Sequence, residues 1–447
     1  MPHIIIKKGH NLQISGLPDR NIQDQIKSET VAILPTDFRG VKPKLIVKEG
    51  DDVKIGSPLF FNKVVPDVKW GSPACGTVKA IEYGPRRVIQ KIEIGLSESQ
   101  ESEKHKIYNN SEIIDLNREV VIENILGANI FHFFRQRPFN IIPDPKVIPR
   151  DIFVSAINTA PLSFDQEIVI KENLESFQAG VDVLNTLTDG KVYLTSKPGS
   201  VVSSIQNVVS YTIDGPHPAG NVGIQIHHIS HLKPGENVWT INSQDLIVIG
   251  KLFLQGIYDP TRIITLAGPC IKNPAHFRVN TGANISTITS GRMINGEKRI
   301  ISGDVLTGRV VSADDFLSYY DYCISVISDE VKREFIGMLN PGSSSSRYSL
   351  TPVFLSLSKI LYPFNTSQNG SHRAVVPINA WERVLPMDIL PNELYRSILA
   401  KDVDEMEMLG LIECDDEDFA LCSFACPSKT DVSGVIREGL DILQAEG

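Results

Sequence analysis

Apolar runs in this chain are short, and their spacing changes three times along its length. Up to about residue 105 the pattern is strand-length runs broken by turn residues. Examples are Lys44-Leu45-Ile46-Val47-Lys48 before Glu49-Gly50-Asp51-Asp52, and Thr77-Val78-Lys79-Ala80-Ile81. Short β-branched runs between Gly, Pro and Asp predict an all-β barrel or sandwich. From about 106 to 255, strand-like runs at Asp151–Ile157 and Lys191–Thr195 flank a helical pattern from Phe164 to Leu187. That alternation predicts an α/β unit with a parallel sheet. Short strands return at Arg262–Leu266, Arg299–Ser302 and Arg309–Val311. The remainder reads as helical, with a loop at Ser343–Ser346 and a last helix from Val432 to Leu443. The charged stretch Ser97–Lys106 reads as a linker, and no internal repeat is found.

No run could cross a membrane, since a spanning helix needs about 20 consecutive apolar residues. The best stretch, Leu246–Gly250, is broken by Lys251, and the N-terminal Ile4-Ile5-Ile6 ends at Lys7-Lys8. The chain is expected to be soluble and cytoplasmic, reaching a membrane only through a partner. A formal charge of −9 without a long basic block argues against nucleic acid. Six cysteines in 447 residues are too few for a disulfide scaffold.

Four features bear on chemistry. Lys48–Leu59 and Ser72–Ile81 resemble the biotinyl/lipoyl hammerhead, with glycines at tight turns. The hairpin lysine that a carrier needs, set between methionines, does not occur in Phe60–Gly71, where only Lys63 and Lys69 stand. Cys422-Ser423-Phe424-Ala425-Cys426-Pro427 looks like the tail of a ferredoxin cysteine run, but Phe419 and Asp416 occupy the preceding positions and Cys414 is out of register. His217, His227, His228 and His231 fall close together, and Val222–Ile226 before the last three reads as a strand. Finally, the α/β block has neither a G-x-G-x-x-G motif nor a P-loop. It carries instead Phe131-His132-Phe133-Phe134-Arg135-Gln136-Arg137-Pro138-Phe139. Rings with cationic donors suit a quinone better than a phosphate, which makes Phe131, Phe133, Phe134, Arg135 and Arg137 the candidate quinone-binding residues. Core packing is the competing reading of these rings.

A set of motifs in fixed order covers nearly the whole chain: Ile4–Gly9, Phe134–Phe139, Gly215-Pro216-His217-Pro218-Ala219-Gly220, Trp239–Asp245, Gly250–Leu254, Leu266–Pro269, Ile301–Gly308, Asn369–Arg373, Glu382–Asp388 and Phe419–Pro427. Together they resemble the A-subunit family of the Na+-translocating NADH:quinone reductases, which is similar to the flavin subunit of respiratory complex I and the C subunit of the Rnf complex. The resemblance implies a multidomain α/β protein: a barrel-sandwich hybrid (1–105), a Rossmann-like block (106–255), a β-grasp SLBB domain (256–330) and a helical ferredoxin-like domain (331–447). It implies a peripheral subunit on the cytoplasmic side of the bacterial inner membrane, with subunits B to F as partners. The complex would use FMN, riboflavin, FAD and iron–sulfur groups to pass electrons from NADH to ubiquinone while exporting Na+. In complex I and Rnf relatives a glycine-rich loop holds FMN and four cysteines hold a cluster. Both are altered here, and Asn158-Thr159-Ala160-Pro161 looks like the relatives' acidic turn without its acids. The chain is therefore expected to carry no cofactor and no metal, and to act as a scaffold that contributes to quinone binding. The alternative is a flavin or iron–sulfur electron-transfer protein of the complex I/Rnf type.

Overall fold

The computed structural model describes residues 1–330, Tyr348, Leu350 and residues 360–446. The expected loop at Ser343–Ser346 lies outside the described residues, as does most of the helical stretch expected just after 330.

The barrel is two small antiparallel sheets. One orders its strands Thr30–Ile33, Ile89–Leu96, Gly76–Tyr83, Asp52–Val53; the other Pro43–Leu45, Pro58–Asn62, Lys69–Gly71. Alternation along the strands puts Phe60 and Trp70 inside, with stacked rings 4.6 Å apart, and leaves Phe61 and Lys69 outside. Segment 97–106, expected as a linker, is instead tied down. Glu101 and Glu103 exchange backbone hydrogen bonds with Ile55, and the His105 N–H donates to the Gly256 carbonyl.

The α/β sheet runs His3–Ile5, Val209–Asp214, Val192–Ser196, Ile152–Ser155, Val238–Asn242, Arg135–Arg137, parallel except for the last strand. The expected helical pattern forms two helices, Gln166–Glu172 and Leu174–Asn185. The apolar stretch Leu246–Gly250 sits in the helix Ser243–Gln255, which is buried nearly all round. This helix crosses Leu174–Asn185 at Gly180 and Gly250. A Cβ on Gly250 would lie 1.7 Å from the Ser176 carbonyl oxygen, so only glycine permits the approach.

The third sheet orders Arg309–Val311, Lys298–Ser302, Cys323–Ser328, Thr261–Ala267, Ala275–Asn280 and Asp19–Gln23. The N-terminal segment thus threads all three domains. His3–Ile5 extends the α/β sheet, Asp19–Gln23 extends the SLBB sheet, and the barrel proper starts at Thr30. The C-terminal domain contains the helices Pro391–Ala400, Val403–Met408, Ala420–Ala425 and Val432–Glu446. Its core of Trp381, Leu394, Met406, Cys422, Ile436 and Leu440 is continuous with Ile213 and Ile224 of the α/β domain. Among the described residues no helix is long and apolar enough to cross a membrane.

Candidate functional site

In open α/β sheets ligands settle beyond the carboxyl ends of the strands, where the strand order reverses. Here the reversal lies between Ile152–Ser155 and Val238–Asn242. The chain leaves the second strand directly into the helix Ser243–Gln255. Its N-terminus is capped by the Asn242 side chain, which accepts from the Asp245 N–H at 2.9 Å. Asp245 in turn receives the Arg262 Nη2 at 2.9 Å and the Tyr322 hydroxyl at 3.2 Å. Arg262 comes from the neighbouring SLBB sheet. It also donates to the Tyr319 carbonyl at 3.0 Å, the Tyr322 hydroxyl at 2.5 Å and the Thr281 hydroxyl at 2.9 Å, and its guanidinium lies over the rings of Tyr319 and Tyr322. Phe164 packs on Tyr322, and Gln244 bonds both ways with the Ile263 backbone.

Burial pushes the Asp245 carboxyl up, against the pull of Arg262. Burial alone would lower the Arg262 guanidinium, but Asp245 and the tyrosines carry it well above its ordinary value. The crevice where this fold binds a nucleotide is thus filled by a salt bridge and tyrosines from the next domain. A flavin phosphate does not fit there: the first turn of the helix carries the buried Asp245 carboxylate, its N–H capped by Asn242, and no glycine loop opens the backbone to an anion.

An iron–sulfur cluster does not fit the cysteines either. Cys414, Cys422 and Cys426 are free and buried. They are the three cysteines of this domain, one short of the four thiolates a cluster takes, and Asp416 and Phe419 stand where the run would continue. Among the described residues no group of three or more His, Cys, Asp or Glu side chains is placed to hold a metal.

The candidate quinone segment lies at the junction of the domains. Phe131, Phe133 and Phe134 are fully buried. Phe131 and Phe134 pack on Trp239, with centroids 5.7 and 5.3 Å away, and Phe133 faces Tyr258. Between them, buried His132 stacks on Trp70 of the barrel and meets the Tyr319 hydroxyl through Nε2 at 2.8 Å. These three rings therefore pack in the core in this conformation and do not offer a face to a ligand. Arg135 is half-buried, its guanidinium 4.1 Å over the Tyr320 ring and donating to the Asn140 carbonyl.

Arg137 points to the C-terminal domain. It reaches Asp415 at 3.0 Å, Glu417 at 2.7 Å and Asp418 at 3.9 Å, and only 4% of its surface is exposed. Arg39 grips Asp416 with both terminal nitrogens, at 2.7 and 2.6 Å. Arg437 lies 3.6 Å from Asp415. Burial and the adjoining acids push the Asp415 carboxyl up to about 7 in spite of Arg137. For Asp416 burial acts upward too, but Arg39 holds it down at about 2.

Of the four clustered histidines, His217, His227 and His228 are held by the fold, while His231 is exposed. Val222–Ser230 forms a helix, not the expected strand, because Gly223 fits against Asp418 and Asn221 binds the Glu417 carbonyl, docking this segment as a helix on the C-terminal domain. His227 binds Glu413 at 2.9 Å and accepts from the Asp388 N–H, while His228 donates to the Pro386 carbonyl. His217 is buried in the loop before the helix. Sequence reading missed Asp245, Arg262, Tyr319, Tyr322 and the acidic run Asp415–Asp418. The available signals were the Tyr-Tyr-Asp-Tyr cluster at 319–322 and four consecutive acids directly after Cys414.

Comparison with known proteins agrees with this architecture. Family models match at residues 4–97 (NqrA N-terminal barrel-sandwich hybrid domain), 116–258 (NqrA second alpha/beta domain) and 263–313 (NQRA C-terminal domain). The chain is 40% identical over 448 residues to the A subunit of the Na(+)-translocating NADH-quinone reductase of Pasteurella multocida, covering 99% of this chain and 100% of that one. It is likewise 40% identical over 446 residues to the counterpart in Mannheimia succiniciproducens, and 38% over 451 residues to that of Saccharophagus degradans, with the same coverage. Among solved structures, the NAD+-reducing [NiFe]-hydrogenase in the air-oxidised state is similar over 52% of each chain, at 12% identity and a TM-score of 0.36, too low to carry an argument. Three matching domains in order and full-length identity near 40% show that the chain belongs to the NqrA family, the A subunits of Na(+)-translocating NADH-quinone reductases.

Proposed function

We propose that this chain is the peripheral, cofactor-free A subunit of a Na+-translocating NADH:quinone reductase. It would sit on the cytoplasmic side of the inner membrane against subunits B to F, which carry the flavins and the iron–sulfur centre. The observation that carries this reading is the buried Asp245–Arg262–Tyr322 network in the crevice a nucleotide would need. It favours a scaffold over a flavin or iron–sulfur electron-transfer protein of the complex I/Rnf type. The absorption spectrum and metal content of the purified chain test that choice.

The quinone contribution is assigned to residues 131–139. Within that segment Arg135 is the cationic donor nearest solvent, seated on Tyr320. Phe131, Phe133, Phe134 and Arg137 then act by holding the segment in place. Titrating a soluble quinone analogue into Arg135→Ala should show affinity lowered by about tenfold, the worth of a hydrogen bond from a charged donor. Phe133→Ala should chiefly destabilise the fold, by about 3–5 kcal/mol. Unchanged quinone affinity in both folded variants would remove the segment from the site.

A further inference from the structure

The hairpin between the barrel strands Gly76–Tyr83 and Ile89–Leu96 turns through Gly84-Pro85-Arg86-Arg87-Val88. Arg86 has φ 56° and ψ 24°, and Arg87 has φ 59°. Two consecutive left-handed residues at a hairpin tip are ordinarily asparagine and glycine, because a Cβ is crowded there. This chain places two arginines in that strained conformation. Both are exposed, and neither has an ion pair or side-chain hydrogen bond among the described residues. Beside them Tyr83 is 56% exposed and Val88 45%. The acid nearest in the hairpin, Glu82, is already engaged by Lys91 at 2.8 Å. A chain of net charge −9 thus projects a tip of two free guanidiniums flanked by a tyrosine and a valine. Backbone strain retained at an exposed position that contributes nothing to the core points to a contact made outside the chain.

We propose that this tip docks the protein on an anionic phospholipid surface. Guanidinium matches phosphate with paired donors. Tyrosine is suited to the headgroup layer, and Val88 can enter the acyl boundary beneath it. A narrow convex tip favours lipid over an acidic protein. A specific protein interface needs about 800 Å² from each partner, far more than five or six residues of a hairpin end present. The rest of the acidic surface is repelled by the same membrane, so the contact also sets the orientation of the barrel. This proposal does not depend on the quinone assignment.

The test is co-sedimentation of the full chain with vesicles of phosphatidylglycerol and phosphatidylcholine, or of phosphatidylcholine alone. The variant is the double substitution Arg86→Asn, Arg87→Gly, which keeps the turn and relieves its strain. The native chain is expected to bind the anionic vesicles, more weakly as salt rises, and not the neutral ones. The variant is expected to bind about thirtyfold more weakly, taking each basic residue at the surface as roughly fivefold. Its thermal midpoint should be equal or higher, so lost binding cannot be lost folding. Equal binding of variant and native chain to anionic vesicles would overturn the proposal, as would equal binding of the native chain to neutral ones. Unchanged vesicle binding with loss of capture on polyglutamate would also overturn it, in favour of an acidic protein partner.

Discussion

Arg262→Ala is expected to destabilise the protein by about 3–5 kcal/mol, because it leaves the Asp245 carboxylate buried without its cation. The side chain also fills space between two domains, where it lies over Tyr319 and Tyr322 and binds the Tyr319 carbonyl and the Thr281 hydroxyl. Its removal opens the crevice as well as breaking a pair. For a unit of this size, about 2–4 °C is lost per kcal/mol, so the thermal midpoint should fall by roughly 10 °C. Pairing Arg262→Met with Asp245→Asn removes both charges while keeping most of the volume. That double variant should recover much of the loss, since buried pairs are often replaceable by neutral groups. A midpoint within about 2 °C of native for Arg262→Ala would mean that the network does not hold the domains together.

Arg137→Ala is expected to loosen the C-terminal helical domain. It removes the cation shared by Asp415, Glu417 and Asp418 and leaves those acids facing one another at the contact with the helix Val222–Ser230. The expected cost is again about 3–5 kcal/mol at neutral pH. It should read out as earlier unfolding of that domain and as faster cleavage at the exposed rim by a trace of protease. The loss should depend on pH. A carboxyl raised above its ordinary value binds its proton more tightly in the folded protein than in the unfolded chain. Its contribution to stability is present below about 4 and is lost as pH rises through about 7 for Asp415. Without Arg137 the acids rely on protons still more, so the defect should shrink at pH 5 and widen at pH 8. Arg137→Lys keeps the charge but not the planar fork of donors and should fall between. A defect of equal size at both pH values would show that the acids are not the cause.

The strands Thr261–Ala267, Lys298–Ser302 and Arg309–Val311 are legible in the sequence because β-branched runs between turn residues are local signals. The helix Val222–Ser230 is not. Its apolar residues at Val222, Ile224 and Ile226 alternate as in a strand, and what fixes it as a helix is docking on residues almost two hundred positions away. The distribution of the first 25 residues over two foreign sheets is likewise a non-local pairing with no local mark.

The aromatic segment shows a different limit. The run Phe131–Phe139 reads equally as a ligand platform or a core junction, and only the positions of Trp239, Tyr258 and Trp70 decide that three of its rings are enclosed. What the sequence does show directly is that no G-x-G-x-x-G or P-loop motif and no four-cysteine run occur in it. What the sequence does not show is the meeting of Asp245, Arg262 and Tyr322 at the carboxyl end of the sheet, three residues from separate elements that no motif connects.

The central claim is that this chain is part of a redox pump without a redox group of its own. The most direct measurement is the absorption spectrum of the full chain, purified under non-denaturing conditions and analysed for iron in the same sample. The account predicts a protein band at 280 nm alone, no flavin released on denaturation, and iron far below one atom per chain. Flavin or iron at one equivalent per chain would contradict it, and would mean that the crevice beyond Ser155 and Asn242, or the buried cysteines, opens to admit a cofactor.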